Sequence, residues 1–365
     1  MILTNPARIG GDFELTLDIF EAHKSKVDYS YISAPHLLWL DTGRSALMII
    51  AKEIVRRGGS RRIWLPAYGC ESISQAFSQE GFELKYYSIE QNLDFDSPLS
   101  PRPLKGDTLL CIHYFGHLNK QFLNAIPAYM NAGVWVIEDF VQSGLIKNLM
   151  LTADFAVTSY RKLLPVPDGA MLASKLAIGE SVKGGLVGPD EAFISEKIVA
   201  KILRGRNQSA DIFLPLLENA EKRIEGKIIP RTVSWFSTWV MSHTEYDQVL
   251  IRRRENWSSL LIEMNKPALA DKIKPMFNQL DVSEVPLGMP VIVLGGKRDF
   301  LRRYLMDNDI YCAVHWPLVH LPNQESFPFE MELSRTLLTL PIDQRLDQQN
   351  IQHMVSVIHR FFREN

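Results

Sequence analysis

Short apolar runs alternate with longer amphipathic stretches between Trp39 and about residue 175. Many of the apolar runs are rich in β-branched and aromatic residues, which is typical of strands, and the stretches between them repeat apolar residues at helical spacing. This rhythm predicts α/β units around a mostly parallel sheet. The predicted strands are 62–65, 83–87, 108–113, 134–138, 155–159 and 170–173, and the predicted helices are 44–57, 71–80 and 120–132.

Several of the predicted strands are apolar on both faces. The runs 109–112 (Leu-Leu-Cys-Ile) and 134–137 (Val-Trp-Val-Ile) do not alternate between apolar and polar positions. A sheet covered by helices on both faces explains this pattern. In such sheets ligands gather at the carboxyl ends of the strands, so the residues that follow each strand are the candidates for a site.

A second α/β unit is predicted in the last third of the chain. The pattern becomes helical between about 190 and 260, and a new strand signal at 290–294 precedes the turn residues Gly295-Gly296. Residues 348–363 repeat apolar positions at helical spacing and are expected to pack on this unit. Because single cores stop growing at roughly 250–300 residues, we expect a large domain, 1–245, and a smaller C-terminal domain, 246–365.

Composition and charge exclude several classes of protein. The 40 basic and 42 acidic side chains are scattered and give a formal net charge of -2, so no broad field attracts nucleic acid or an anionic membrane. No apolar run reaches the roughly 20 residues that cross a bilayer, and the N-terminus lacks a basic stretch followed by an apolar one. The 3 distant cysteines indicate a reducing compartment and no zinc site. We therefore expect a cytoplasmic protein with a small-molecule substrate and no metal.

A turn leads into the first predicted helix at Thr42-Gly43-Arg44-Ser45-Ala46-Leu47. Gly43 permits a tight turn, and the first backbone N–H groups of a helix, with the positive end of its dipole, bind phosphate. Arg44 can add a bidentate contact and Ser45 a hydroxyl donor. The alternative interpretation of this motif alone is an N-capped helix without a ligand.

A strand delivers an acidic residue to its carboxyl end at Val136-Ile137-Glu138-Asp139, and Phe140-Val141-Gln142 follow. A carboxylate at Asp139 can hold the nitrogen of a pyridine ring in its protonated form. Gln142 can reach the hydroxyl group of the same ring if a helical turn begins at Asp139. An aspartate at a strand end is also a common helix cap, and this alternative stays open for the segment alone.

A candidate nucleophilic lysine follows the next predicted strand. The run 155–158 ends in Ser159, and Lys162 stands three residues further on, before the apolar context Leu163-Leu164-Pro165-Val166-Pro167. An amine must lose its proton before it attacks an aldehyde, and burial together with the neighbouring cation Arg161 favours that loss. Ser159 can donate to a phosphate. For any lysine considered alone, a surface position is the alternative.

The three segments together predict a site for pyridoxal 5'-phosphate. Lys162 would hold the cofactor as a Schiff base, and Asp139 would pair with its pyridine nitrogen, which keeps the ring an electron sink. Gln142 would lie near the ring oxygen. The predicted phosphate ligands are Gly43, Arg44, Ser45 and Ser159.

The chain resembles the fold-type I pyridoxal-phosphate enzymes, and in particular the DegT/DnrJ/EryC1/StrS aminotransferase family, over most of its length. The similar motifs are the turn 42–47, Leu65-Pro66-Ala67-Tyr68-Gly69-Cys70, His113-Tyr114-Phe115-Gly116 with Asn119, Glu138-Asp139-Phe140-Val141-Gln142-Ser143, His315-Trp316-Pro317-Leu318-Val319-His320 and Leu340-Pro341-Ile342. The resemblance implies a large domain with a mostly parallel sheet covered by helices, a smaller C-terminal α/β domain, and the same roles for Lys162, Asp139 and Gln142.

Three features depart from this family. Only Tyr160-Arg161 separates Ser159 from Lys162, and no Gly-Glu-Gly-Gly-like run follows the lysine. Cys70 stands at the ring-stacking position, where the family usually has an aromatic residue, and Tyr68 and His113 are the alternative stacking partners. Residues 176–231, a region that often shapes the substrate pocket, show little of the family pattern.

The resemblance implies an aminotransferase that moves an amino group from an amino acid such as glutamate to a keto sugar nucleotide. It also implies a homodimer with its sites at the subunit boundary. Retention of Lys162 argues against the sugar dehydratases of the family, which have histidine there. His315 and Trp316 are candidate substrate contacts, with packing of the small domain as the alternative.

Other functions stay open on the same scaffold. A lyase, a decarboxylase or an acyl-transfer enzyme would use the same cofactor, and a non-catalytic binding module would keep only the fold. A nicotinamide enzyme is disfavoured, because no Gly-x-Gly-x-x-Gly follows a predicted strand.

Overall fold

A computed structural model gives the fold and describes residues 8–16, 19, 32–96, 98–146 and 149–364. Residues 1–7, where a basic stretch followed by an apolar one is lacking, lie outside these ranges. The strands are β1 (Ile9–Gly10), β2 (Ile32–Ser33), β3 (His36–Leu40), β4 (Arg62–Pro66), β5 (Glu83–Tyr87), β6 (Thr108–Ile112), β7 (Trp135–Asp139), β8 (Leu149–Met150), β9 (Phe155–Ser159), β10 (Ala170–Ser174), β11 (Ile273–Pro275), β12 (Met289–Val293), β13 (Ile310–Tyr311) and β14 (Leu337–Leu340).

Helices cover the sheets and connect their strands. They are α1 (Gly43–Arg56), α2 (Glu71–Gln79), α3 (Lys120–Asn131), α4 (Glu180–Lys183), α5 (Glu191–Gly205), α6 (Ala210–Arg223), α7 (Trp235–Ser242), α8 (Tyr246–Met264), α9 (Arg298–Met306), α10 (Pro328–Thr336) and α11 (Gln348–Glu364). Short polar side chains cap several of them: Thr42 accepts a hydrogen bond from the backbone N–H of Ser45, and Asp190 accepts one from Phe193. No helix within the described ranges is both long and apolar enough to cross a bilayer.

The large sheet has seven strands in the order β3-β10-β9-β7-β6-β4-β5. The pairs between β5, β4, β6, β7 and β9 are parallel, whereas β10 runs antiparallel to both β9 and β3. Every residue of β6 and β9 is buried, as expected from their unbroken apolar runs. The predicted α/β fold with a mostly parallel sheet is confirmed, and the predicted strands and helices agree with the observed ones to within about two residues.

A second, antiparallel sheet of strand order β11-β12-β14 lies in the C-terminal part of the chain. Its core is formed with α8, α9 and α11, through residues such as Leu260, Leu301 and Ile358. Strand β1 pairs in parallel with β13, so the N-terminal segment 8–16 joins this part of the molecule. This pairing joins Ile9 to Ile310, which are far apart in the sequence, and no periodic pattern in the sequence predicts it.

Helix α8 spans the boundary between the two cores. Its residues Tyr246, Val249 and Leu250 belong to the core around the large sheet, whereas Trp257 and Leu260 belong to the core around the small one. The predicted division into 1–245 and 246–365 falls at the first residue of this helix and stays a prediction.

Candidate active site

A cavity of about 740 Å³ opens at the carboxyl ends of β4, β6, β7 and β9 and at the N-terminus of α1. Parallel strands end at one edge of the sheet, so the residues that follow them meet there. The cavity brings together the predicted residues Gly43, Arg44, Cys70, Asp139, Gln142, Ser159, Lys162 and Trp316. Ser45 and His315 are not among its lining residues.

Asp139 is the last residue of β7 and is only 3% exposed. Its Oδ1 accepts a hydrogen bond from the backbone N–H of Val141 at 2.8 Å. Burial raises the pKa of the Asp139 carboxyl to about 6, although the hydrogen bond from Val141 and the positive charge of Lys162 act in the opposite direction. A cation placed beside this carboxylate would therefore be bound strongly.

Behind Asp139, a buried polar network fixes the end of β7. Glu138 Oε2 accepts hydrogen bonds from Thr152 Oγ1 at 2.9 Å and from the N–H of Ala153 at 3.0 Å. Its Oε1 lies 3.4 Å from His113 Nε2, while His113 Nδ1 accepts from the backbone N–H of Asn119 at 3.0 Å. The Nδ1 atom therefore acts as a hydrogen-bond acceptor, whereas the buried Nε2 atom faces Glu138 without a hydrogen bond among the described residues.

Gln142 follows Asp139 in a turn and is 1% exposed. Its Oε1 accepts a hydrogen bond from the N–H of Phe115 at 2.9 Å. Within the described part of the chain its Nε2 has no hydrogen-bond acceptor, although it is buried. Because an unsatisfied buried donor is costly, this amide is suited to an acceptor atom on a ligand.

The turn at the start of α1 places the side chain of Arg44 in the cavity. Thr42 Oγ1 lies 3.2 Å from both the N–H and the Oγ of Ser45, so the hydroxyl of Ser45 is engaged within the cap and buried. Arg44 lines the cavity instead. Burial lowers the pKa of Arg44, and the nearby positive charge of Arg161 lowers it further. An anion between these two guanidinium groups would relieve both effects.

Lys162 ends a short 3-10 helix, Tyr160–Lys162, that starts directly after Ser159. Ser159 ends β9 in an extended conformation, and the single helical turn that follows brings Lys162 to the same cavity. The carbonyl of Leu163 accepts hydrogen bonds from Gln344 Nε2 at 2.8 Å and from Arg253 at 3.5 Å. These side chains, which the sequence did not single out, anchor the lysine turn to the C-terminal part of the chain.

Among the three proposed stacking partners, only Cys70 lines the cavity. Tyr68 is fully buried and packs against Trp316, with ring centroids 5.2 Å apart. His113 stacks on Phe140 at 4.1 Å. Tyr68 thus packs against a residue of the cavity wall, and His113 packs against the residue that follows Asp139, but neither ring lines the cavity.

Trp316 contributes to the cavity wall, as a substrate contact would, whereas the neighbouring His315 faces other groups. The His315 ring lies edge-on to Phe115 at 5.4 Å, and its Nδ1 is 3.0 Å from Thr339 Oγ1. Burial and the positive charge of Lys162 lower the pKa of His315 to about 3. His315 therefore lies near Lys162 without lining the cavity, and its role as a substrate contact stays a prediction.

Six charged residues in the cavity were not predicted. They are Asp12, Glu71, Lys197, Lys201, Glu221 and Glu225. Arg161, expected to act as a cation beside Lys162, pairs with Glu221 at 2.8 Å. No motif marks these positions, and the two lysines lie in the region 176–231, where the family pattern is absent.

No protein-family model and no curated protein matches the chain. Solved structures do match it. The chain is similar to PseC of Helicobacter pylori, an aminotransferase involved in the biosynthesis of pseudoaminic acid, with 11% identity, a TM-score of 0.69 and coverage of 98% of this chain and 100% of that chain. A DegT DnrJ EryC1 StrS aminotransferase from Brucella abortus is similar at 16% identity, with a TM-score of 0.60 and coverage of 96% and 91%.

The PLP form of Spr1654 from Streptococcus pneumoniae is similar at 10% identity, with a TM-score of 0.64 and coverage of 98% of this chain and 99% of that chain. At this level of identity the comparisons establish the fold. They confirm the predicted fold-type I architecture, with a large sheet domain and further C-terminal α/β structure.

Proposed function

We propose that the chain is a pyridoxal-phosphate-dependent aminotransferase related to the DegT/DnrJ/EryC1/StrS family. It would transfer an amino group from an amino acid such as glutamate to a keto sugar nucleotide. The observation that carries the proposal is the position of Asp139, Gln142 and Lys162 on one cavity at the carboxyl ends of the strands. Structures of the same fold include sugar aminotransferases, and one of them is a PLP form, which supports both the reaction and the cofactor.

The described residues fit this cofactor. Asp139 offers a buried carboxylate whose second oxygen has no hydrogen bond among the described residues, which suits a protonated pyridine nitrogen. The unpartnered Nε2 of Gln142 suits the ring oxygen. Arg44 and the backbone N–H groups at the start of α1 suit a phosphate. These groups are complementary to the three polar ends of pyridoxal phosphate.

Pyridoxal phosphate, when bound, supplies an aldehyde that reacts with amines and a ring that withdraws electrons from the substrate. Lys162 would hold the cofactor through its side-chain amine, and the same amine, when free, would accept the proton of the donor's α-carbon and give it back later in the reaction. Asp139 would hold the ring nitrogen in its protonated form, and Gln142 and Arg44 would fix the orientation of the ring.

We also propose that the enzyme is a cytoplasmic homodimer that binds neither nucleic acid nor membranes. The segment 229–231 lies against the phosphate turn, because the N–H of Asp41 donates to the carbonyl of Arg231 at 3.1 Å. Ile229 and Trp235 expose large apolar side chains near this segment, 47% and 76% exposed. A second subunit would cover them beside the cavity.

The test combines spectroscopy with a half-reaction. Purified protein is loaded with pyridoxal phosphate, reduced with borohydride and digested, and we expect the label on Lys162 and none in Lys162→Ala. The exposed Lys183 of α4 provides the control variant Lys183→Ala, which should keep the label. In a separate sample of loaded protein that has not been reduced, glutamate should change the visible absorbance of the bound cofactor. A protein that ignores the cofactor would refute the proposal, and a labelled protein that no amino acid converts would refute transamination.

A further inference from the structure

Helix α5 presents two buried lysines to the same cavity that holds Lys162. Lys197 and Lys201 are four residues apart, on one face of the helix, and their side chains are 7% and 2% exposed. Burial of an ammonium group is costly unless an anion lies beside it, and two like charges at this spacing repel each other. This face of α5 therefore requires an anion.

Asp12 supplies that anion. Its Oδ1 lies 2.5 Å from Lys201 Nζ, and its Oδ2 lies 3.6 Å from Lys197 Nζ. Burial acts to raise the pKa of Asp12, but the two ammonium groups outweigh it and hold the pKa well below its usual range. The carboxylate belongs to the segment 8–16 and is 26% exposed, so it reaches the lysines from outside the helix.

Positive charge exceeds negative charge in this cluster. Glu221 Oε1 lies 2.6 Å from Lys197 Nζ and 2.8 Å from Arg161. Among the contacts of the described residues, the three cations Arg161, Lys197 and Lys201 thus share two carboxylates. Within these contacts the cations outnumber the carboxylates by one, so the lysine pair would still need an anion if Asp12 moved away.

Lys201 does not depend on Asp12 for its position. Its Nζ also donates to the backbone carbonyl of Phe13 at 3.2 Å. If the side chain of Asp12 turned away, the ammonium group would keep this hydrogen bond and still face the cavity. The lysine pair is therefore able to exchange one carboxylate for another oxyanion.

We propose that Lys197 and Lys201 form an oxyanion subsite for the substrate, which Asp12 fills until the substrate displaces it. The inference rests on the proposed function, because the substrate must enter the cavity that holds Lys162. The recognised group is a carboxylate of the amino donor or a phosphate of the acceptor, since both offer the oxygens that Asp12 offers. Asp12 then sets specificity, because only an anion that outcompetes it is retained.

The test measures anion binding by calorimetry on protein already loaded with pyridoxal phosphate, so that the phosphate turn is filled. Glutarate stands for a donor carboxylate and inorganic pyrophosphate for an acceptor phosphate, and the probe that binds identifies the source. Lys201→Gln and Lys197→Gln should each weaken its binding by about tenfold. Asp12→Asn should strengthen it by about threefold or more, because the internal competitor loses its charge.

The direction of the change in probe affinity in Asp12→Asn distinguishes a competing anion from a residue that only stabilises the fold. Glu14 lies on the same segment and contacts Arg204 at 2.7 Å, so Glu14→Gln loosens the segment without touching the lysine pair and should leave binding unchanged. If Asp12→Asn weakens binding or leaves it unchanged, or if neither probe binds the loaded protein, the subsite is refuted. A failure to load the cofactor, seen first from the absorbance, would instead refute the proposed function.

Discussion

Glu138 and Asp139 are neighbours at the end of β7, yet their carboxylates serve opposite sides of the strand. Asp139 lines the cavity, whereas Glu138 accepts hydrogen bonds from Thr152 and Ala153. Successive side chains of a strand point to opposite faces, so only one of two adjacent acids can face a ligand. The two residues therefore form a matched pair for mutation.

Asp139→Asn should stabilise the cofactor-free protein at pH 7 and have much less effect at pH 4. The pKa of Asp139 is raised from 3.8 to about 6, so the folded protein holds this proton to higher pH than the unfolded chain does. Stability is consequently lost as the pH rises through this interval, by up to about 3 kcal/mol. Asparagine does not ionise and avoids the loss. Urea unfolding at both pH values measures the difference.

Glu138→Gln provides the control for this experiment. It removes a charged acceptor from Thr152 and Ala153 and should destabilise the protein by about 1–3 kcal/mol. When pyridoxal phosphate is present, we expect the order of stability of the two variants to reverse. Asp139→Asn should lose most of its affinity for the cofactor and therefore most of the stabilisation that the bound cofactor gives. An Asp139→Asn effect that is the same at pH 4 and pH 7 would contradict the raised pKa.

The sequence predicted the strand ends well because short, wholly apolar strands are followed directly by polar residues. Asp139 and Ser159 are the last residues of β7 and β9, as expected on that basis, and the parallel topology brings them to one cavity. Cys70 was singled out by the family resemblance alone, and it lines the same cavity. Ser45 shows where a motif is insufficient. Its position in the turn is as expected, but its hydroxyl faces Thr42, and a linear pattern does not contain that rotamer.

The unpredicted half of the cavity depends on contacts between distant segments. Asp12 reaches Lys201 because β1 pairs with β13, and two-residue strands have no periodicity to detect. Likewise, Gln344 reaches the carbonyl of Leu163 across 181 positions. Such contacts follow from the packing of the two cores and are not encoded in local patterns.

Arg44→Gln should weaken the binding of pyridoxal phosphate by about tenfold and leave the binding of pyridoxal nearly unchanged. Arg44 lines the cavity at the start of α1, where a phosphate would be bound, and a charge-assisted hydrogen bond contributes about 1.5–3 kcal/mol. Pyridoxal lacks the phosphate and so reports on every other contact. Absorbance titration with both compounds measures the effect.

Ser45→Ala serves for comparison with Arg44→Gln. The Ser45 hydroxyl is hydrogen-bonded to Thr42, so its removal should mainly lower the stability of the α1 cap. The ratio of the affinities for pyridoxal phosphate and pyridoxal should change little. Equal losses for pyridoxal and pyridoxal phosphate in Arg44→Gln would show that the arginine does not contact phosphate.

Gln142→Glu should preserve the turn at Phe115 and lose cofactor affinity. The side-chain oxygen that accepts from the N–H of Phe115 at 2.9 Å is retained, but the Nε2 donor becomes an acceptor. An acceptor facing the cofactor oxygen is repulsive, so we expect a loss of about tenfold or more. Gln142→Leu should lose affinity and also stability, because Phe115 loses its partner. Unchanged affinity in Gln142→Glu would place the ring oxygen elsewhere.

His315 should remain neutral in the folded protein between pH 5 and pH 8. Burial and the positive charge of Lys162 lower its pKa to about 3, so the unfolded chain, with a value of about 6.5, binds the proton first. Stability is therefore lost as the pH falls below about 6.5, and His315→Gln should reduce that loss. The imidazole signal of His315, assigned by its disappearance in His315→Gln, should not shift between pH 8 and pH 5 in the folded protein. In urea-unfolded protein the histidine signals should titrate near 6.5, and a folded-state titration at that pH would mean that His315 faces solvent and is free to contact a substrate.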